Sequence, residues 1–184
     1  MTSVMETNLV WMDLEMSGLD PKTCVILEIA TLITDKDMNL VAQGPAFVIH
    51  QPESVLEAMD GWNQKHHQES GLIQGVRESK TTLAEAEQRT LEFIAGHCKE
   101  KTSPLCGNTI YQDRRFLIEY MPKLETYLHY RLVDVSTVKE LVKRWYGPEF
   151  QAPSKKQKHK ALDDILETIE ELKFYREKVF IKAV

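Results

Sequence analysis

The sequence predicts an α/β fold: a mixed five-stranded sheet, antiparallel over the first three strands and parallel in the remainder, flanked by helices. Three β-rich runs with short connections precede Pro52, the pattern of an antiparallel meander. Two later apolar runs are each followed by a helix signature, which points to parallel pairing. At 184 residues, 42% hydrophobic and 28% charged, the chain has the size and composition of one ordinary globular domain, expected to span residues 1–184.

The first strand is read over Val10–Met16, VWMDLEM. Side chains alternate across a strand, so Met12, Leu14 and Met16 share one face while Leu9, Trp11, Asp13 and Glu15 share the other. Ser17-Gly18-Leu19-Asp20-Pro21 has turn composition, and the β-branched run Val25–Thr34 reads as the second strand. Leu40–His50 reads as a third strand, interrupted at Gly44-Pro45 and closed by Pro52. Short helices are expected between Glu53 and Lys80. Thr82 and Glu85 form a T-x-x-E capping box that opens a helix running to about Cys98. Pro104–Asn108 reads as a fourth strand and Gln112–Tyr120 as a helix, ended because Pro122 disfavours helix at the residue before it. A short helix over Leu124–Leu128 and a fifth strand over Arg131–Val135 follow. Ser136 then caps a helix through Trp145, stopped by Gly147-Pro148. A polar loop carrying Lys155, Lys156, Lys158, His159 and Lys160 precedes the last helix, Ala161–Val179.

Composition narrows the function. No apolar run approaches the ~20 residues of a membrane span, and MTSVMETNLVWMD lacks a basic region followed by an apolar one, so no signal peptide is expected. Cys24, Cys98 and Cys106 are odd in number and form no C-x-x-C, which fits a reduced, cytoplasmic setting and offers no zinc site. A net charge of −5 argues against a protein that coats long nucleic acid. It leaves room for a small nucleic-acid substrate met by a few placed cations. The lysine run reads equally as a solvated loop.

Two acids in so apolar a strand need an explanation, because buried charges without partners are costly. Either the strand end dips into water, or Asp13 and Glu15 together hold a hard divalent cation; Mg²⁺ takes oxygen ligands, often from only one or two carboxylates. Asp113 stands at the start of a helix, and Asp163 and Asp164 at the start of another, where acids also simply favour the positive end of the helix dipole. On the last helix Leu162, Ile165, Leu166, Ile169 and Leu172 form the expected buried stripe. Asp163 and Asp164 lie about equally far from its centre on opposite sides, so the wheel does not choose between them. His159 lies five residues before Asp164, at the junction of loop and helix.

D-x-E in the first strand, an Asp opening a middle helix and H-x(4)-D near the C-terminus together resemble the DEDDh family of 3′→5′ exonucleases. Within it the likeness is to the branch acting on very short RNA, and covers essentially Leu9–Tyr175, including VWMDLEMSGLDP, CGNTIYQDRRFLIEYMP, HYRLVDVSTVKEL and HKALDDI. The resemblance implies a ribonuclease H-like fold, metal ligands at Asp13, Glu15, Asp113 and Asp164, and a general base at His159. It alone selects Asp164 over Asp163. Two cations, Mg²⁺ or Mn²⁺, about 3.5–4 Å apart stabilise both the attacking and departing oxygens of an in-line displacement. Four mutually repelling carboxylates suit such a pair, with Asp13 the candidate to bridge both ions. His159, with an ordinary pKa near ~6.5, can take a proton from the attacking water near neutral pH.

The resemblance also assigns substrate contacts. Trp62 and His67 match positions that cover the base of the scissile end, and stacking of this kind is sequence-tolerant. Leu19 matches a wedge between the two bases, and Tyr130 a residue reaching the substrate from the other subunit of a homodimer. Arg131, Ser136 and Thr137 match positions gripping a terminal 5′-phosphate, for which the arginine fork is suited. Thr109 stands where a serine is expected in that pocket; the hydroxyl is kept. The same residues have plain readings: Trp62 in the core, Tyr130 at a sheet edge, Ser136 as an N-cap.

The expected function is therefore a cytoplasmic, homodimeric, metal-dependent 3′→5′ exoribonuclease. It degrades very short single-stranded RNA, dinucleotides above all, to 5′-mononucleotides, with no membrane and no long duplex as partner. The alternatives are a nuclease of the same chemistry acting on longer DNA or RNA ends, and a catalytically silent nucleic-acid-binding protein on the same fold. Five intact polar positions weigh against the last.

Overall fold

A computed structural model describes residues 4–153 and 161–180. After a short helix α1 (Val4–Thr7), strands β1 (Leu9–Met16), β2 (Ile26–Thr34) and β3 (Leu40–Val48) form the antiparallel meander. Strands β4 (Pro104–Gly107) and β5 (His129–Asp134) add in parallel, giving the order β3-β2-β1-β4-β5. The mixed five-stranded sheet and its split into antiparallel and parallel halves are as the sequence predicts.

Alternation along β1 divides the interior into two layers. Val10, Met12 and Leu14 join one cluster with Ile29, Ile33 and Phe47. Helices α5 (Leu83–Ala95), α6 (Ile110–Tyr120) and α7 (Pro122–Tyr127) cover it through Ile94, Phe116, Leu117 and Leu124. Trp11 faces the other way and packs with Leu32, Cys106, Val142, Ile165, Ile169 and Tyr175 beneath α8 (Val135–Trp145) and α9 (Ala161–Lys178). Fully buried Trp11 donates its indole N–H to Thr34 Oγ1 at 2.8 Å, so the largest core side chain leaves no orphan donor. Asp13 and Glu15 share its face and carry that strand beyond the apolar layer. Helices α2 (Glu53–Glu57) and α4 (Leu72–Glu78) supply Leu56, Leu72, Ile73 and Val76, and the turn between α2 and α3 (Gly61–Glu69) supplies Met59, to a smaller cluster on Leu27.

Local chemistry explains the boundaries. Thr82 and Glu85 form the reciprocal capping box expected at the start of α5. Strand β3 is not interrupted at Gly44-Pro45; it runs through and absorbs the pair by register shifts against β2. As an edge strand it tolerates the missing proline N–H. Ser136 is not the N-cap of α8: Asp134 is, accepting the Ser136 N–H at 2.9 Å. Helix α6 starts at Ile110, two residues earlier than the expected Gln112. The stripe on α9 is also rotated from the expected one. Leu166 is 41% exposed, while Ala161, Thr168 and Tyr175 are buried beside Ile165 and Ile169. Thr168 can occupy that stripe because its hydroxyl is hydrogen-bonded to Asn108 and to the Asp164 carbonyl.

The β1–β4 pair leaves no room for a side chain at Gly107, where a Cβ would lie 2.9 Å from the Met12 carbonyl oxygen and 2.6 Å from Ile110 Cδ1. Gly107→Ala is expected to cost about 1–3 kcal/mol through forced backbone movement, read as a lower urea midpoint with an unchanged slope.

Candidate active site

Three carboxylates converge where β1 leaves its apolar layer. One oxygen each from Asp13, Glu15 and Asp164 lies within 4.8 Å of the others. Asp13 and Glu15 come from alternate positions of β1, and Asp164 from the first turn of α9. With Ala161, Thr168 and Tyr175 inward, the rotated stripe turns Asp164 rather than Asp163 toward this group, although both are half-buried.

Asp113 reaches the same strand differently. It sits in the first turn of α6, buried, and its Oδ1 accepts the Leu14 backbone N–H at 2.9 Å. The bond locks Asp113 beside the acidic pair, outside the three-carboxylate group but near enough for its charge to act on Asp13. His159 lies outside the described residues, as does the lysine cluster around it.

The electrostatics are those of anions confined without enough water. Burial raises the Asp13 carboxyl well above its ordinary range, with Asp113, Glu15 and Asp164 repelling its charge. Burial, then Asp164, Glu28 and Asp113, push Glu15 up to about 8. Burial pushes Asp113 up to about 7, against the favourable Leu14 N–H. Such a donor set fits a hard divalent cation, which takes oxygen ligands and relieves the repulsion among them. Glu28, the cross-strand partner of Glu15, belongs to this field and was missed in the sequence reading. Its signal was the one that exposed Asp13 and Glu15: an acid inside an apolar strand.

Around this centre the expected contact residues take different situations. Leu19 is exposed on the loop after β1, whose backbone α6 holds. Gln112 Nε2 donates to the Leu19 carbonyl at 2.5 Å, Arg115 reaches it at 3.4 Å, and the Tyr120 hydroxyl donates to the Cys24 carbonyl at 2.7 Å. Trp62 is 69% exposed, which excludes the core reading, and stacks on His66 with ring centroids 4.7 Å apart. His67 does not lie open beside it. Only 2% exposed, it packs behind Glu15, with Nε2 2.9 Å from the Met16 carbonyl and Nδ1 3.9 Å from the Glu15 carboxylate. Burial lowers its pKa and favours the neutral ring. His66, to which the sequence assigns no role, is the histidine that meets Trp62.

A second group gathers between β5 and the loop after β4. Ser136 Oγ lies 3.0 Å from Thr109 Oγ1, and the Thr109 N–H donates to Asp134 Oδ1 and Ser136 Oγ. Thr137 and Arg131 are exposed nearby in sequence, the Arg131 guanidinium 5.5 Å from the centre of the Tyr130 ring. Tyr130 is 68% exposed on the edge strand β5, and Arg114 fixes its carbonyl while pairing with Glu125.

Comparison with known proteins places this arrangement. Residues 10–172 match the family described as RNase_T: Exonuclease. The chain is 58% identical over 176 residues to an oligoribonuclease of Shewanella loihica, covering 95% of this chain and 97% of the relative. An oligoribonuclease of Acinetobacter baylyi is 54% identical over 183 residues, with 99% and 100% covered. Among solved structures, exonuclease I of E. coli in complex with a 5cy-dT13 oligonucleotide superimposes with a TM-score of 0.70 at 15% identity. Exonuclease I of Methylocaldum szegediense gives 0.68 at 18%. Each match covers 94% of this chain but only 41% of the longer solved one, and shows a shared ribonuclease H-like fold.

The raised carboxyls fix the sign of a pH effect. A carboxyl whose folded pKa exceeds its unfolded value contributes stability below the unfolded pKa and loses it as pH rises through the folded one. Without divalent cation, Glu15 therefore destabilises the fold increasingly from its ordinary 4.5 up to about 8. The Tm of Glu15→Gln minus that of wild type should grow across this window, and added Mg²⁺ should raise the wild-type Tm more at its upper end. A difference flat with pH would contradict the confinement of Glu15.

Proposed function

The chain belongs to the oligoribonuclease family, within the wider exonuclease family, and on that premise we propose that it is a 3′→5′ exoribonuclease of very short RNA, dinucleotides above all, releasing 5′-mononucleotides. The observation that carries this reading is the convergence of Asp13, Glu15 and Asp164 within 4.8 Å, with Asp113 fastened to the same strand. Residues 1–184 act as a single exonuclease domain.

Two divalent cations, Mg²⁺ or Mn²⁺, would be held by Asp13, Glu15, Asp113 and Asp164 and would supply positive charge at both oxygens of the in-line displacement. The remaining work falls to side chains. Asp13, flanked by the other acids, would help to hold both ions. His159 takes the proton of the attacking water on a ring nitrogen. Trp62 offers an exposed face to a base, its ring backed by His66. Buried His67 acts from beneath, holding the Met16 carbonyl next to Glu15. Leu19 separates the two bases from a loop that Gln112 and Tyr120 keep in position. Thr109, Arg131, Ser136 and Thr137 hold a terminal 5′-phosphate, which limits substrate length by geometry.

Exposure of Tyr130 on the edge strand supports its reaching the substrate of a second copy, and hence a homodimer. The three cysteines are unpaired, and no described helix is long and apolar enough to cross a membrane, which supports a cytoplasmic setting.

The test is a length series of 5′-phosphorylated RNAs, from dinucleotide upward, with Mg²⁺ and with chelator. Chelator-sensitive cleavage strongest on the dinucleotide is expected. Better cleavage of longer strands would move the protein to a general exonuclease. No cleavage at any length by folded, metal-supplied protein would make it a silent binder. Asp13→Ala should lower turnover to below about a thousandth while the fold persists. Arg131→Ala should cost about 10–100-fold on the 5′-phosphorylated dinucleotide and much less on its 5′-hydroxyl form. Equal losses on both would remove Arg131 from the phosphate pocket.

A further inference from the structure

An unbroken series of hydrogen bonds joins the loop after β4 to the helix carrying Asp164. The Thr168 hydroxyl donates to the Asp164 backbone carbonyl at 2.7 Å, so its oxygen is the acceptor for Asn108 Nδ2 at 2.9 Å. The amide oxygen of Asn108 in turn accepts from Ser136 Oγ at 3.3 Å. Ser136 Oγ, its proton so directed, accepts the Thr109 N–H at 2.9 Å. The Ser136 hydroxyl also has Thr109 Oγ1 within reach at 3.0 Å; with its proton on Asn108 the series runs from the Thr109–Ser136 pocket to Asp164.

Two features set this series apart from ordinary packing. Thr109 holds a left-handed backbone at φ 51°, ψ 30°, strained by about 1–3 kcal/mol in a β-branched residue. Its N–H is pinned there by Asp134 and Ser136. Thr168 places a hydroxyl on the buried stripe of α9 where an aliphatic side chain would fill the space.

We infer that Asn108 and Thr168 are positioning residues that transmit occupancy of the terminal-phosphate pocket to Asp164, so that a 5′-phosphate raises turnover as well as affinity. The inference rests on the reading of Thr109, Arg131, Ser136 and Thr137 as that pocket. A phosphate is a stronger acceptor than an amide oxygen, and the longest link in the series is the one from Ser136 to Asn108. With phosphate bound, the Ser136 hydroxyl turns toward it and releases the Asn108 oxygen. The Asn108 amide is then free to reorient, and its bond to Thr168, one turn beyond Asp164, changes with it. The ligand thereby interacts differently with two arrangements of the same groups, which is what coupling requires.

The experiment compares kcat and KM on 5′-phosphorylated and 5′-hydroxyl diadenylate at saturating Mg²⁺ for wild type, Asn108→Leu, Thr168→Val, Thr168→Ser and Arg131→Ala. Wild type should show the higher kcat on the phosphorylated substrate. Asn108→Leu and Thr168→Val should each lose at least about fivefold more kcat on the phosphorylated form than on the hydroxyl form, with its KM little changed. Thr168→Ser, which keeps the hydroxyl, should restore the difference. Equal losses on both substrates, a loss carried by KM alone, or no rescue by serine would overturn the inference, as would equal wild-type kcat on both forms. If either apolar variant fails to fold by thermal melting, the other gives the same comparison from the opposite side of the link. If Arg131→Ala leaves the wild-type preference for the phosphorylated form intact, the pocket reading itself fails, separately from the coupling.

Discussion

Everything in this molecule that bears on activity answers to one constraint: several carboxylates must be kept closer together than their charges allow. Asp13, Glu15 and Asp164 are drawn to within 4.8 Å, and Asp113 is held beside them. Repulsion of this kind is sustained only by a rigid surround. The surround is the layer under Trp11, whose indole is hydrogen-bonded to Thr34 and whose neighbours on α9 fix the rotation of that helix. Stability and function thus oppose each other at β1. The apolar half of the strand supplies the energy that the acidic half costs.

The same economy of parts shows in α6. Its first turn carries Asp113 into the site and holds the Leu19 carbonyl through Gln112, and its last turn anchors the chain near Cys24 through Tyr120. One rigid element therefore sets both the position of an acid and the height of the loop facing it. Misplacement of either by a fraction of an ångström is felt by the other, because the helix does not bend between them.

Much of this was legible from the residues. Alternation along VWMDLEM assigned Trp11, Asp13 and Glu15 to one face, and the capping box at Thr82 located α5. What the sequence hid has physical causes. The stripe of α9 was misjudged because threonine scores as polar, while Thr168 is buried with its hydroxyl satisfied by groups distant in sequence. The cap of α8 was assigned to Ser136 because serine is a common cap, although Asp134, the stronger acceptor, precedes it. Glu28 carries the same signal as Asp13 and Glu15, an acid inside an apolar strand, but its place opposite Glu15 is set by strand pairing. The burial of His67 follows from the packing of α3 against the end of β1, which local pattern does not encode.

Strand β4 is four residues long and pairs with β1 only at Val10 and Trp11. Beyond that point the sheet has a notch: the Leu14 N–H, which a longer neighbour would claim, is taken by the side chain of Asp113. The reactive centre is thus a gap in a ladder, kept open by the early end of one rung series. Lengthening β4 by a single pair of residues would close the ladder and displace the acid with no change to any carboxylate. Insertions at the Gly107–Asn108 junction therefore belong among the least tolerated in the chain, and grafting this chemistry onto another sheet requires copying an absence as faithfully as the acids themselves.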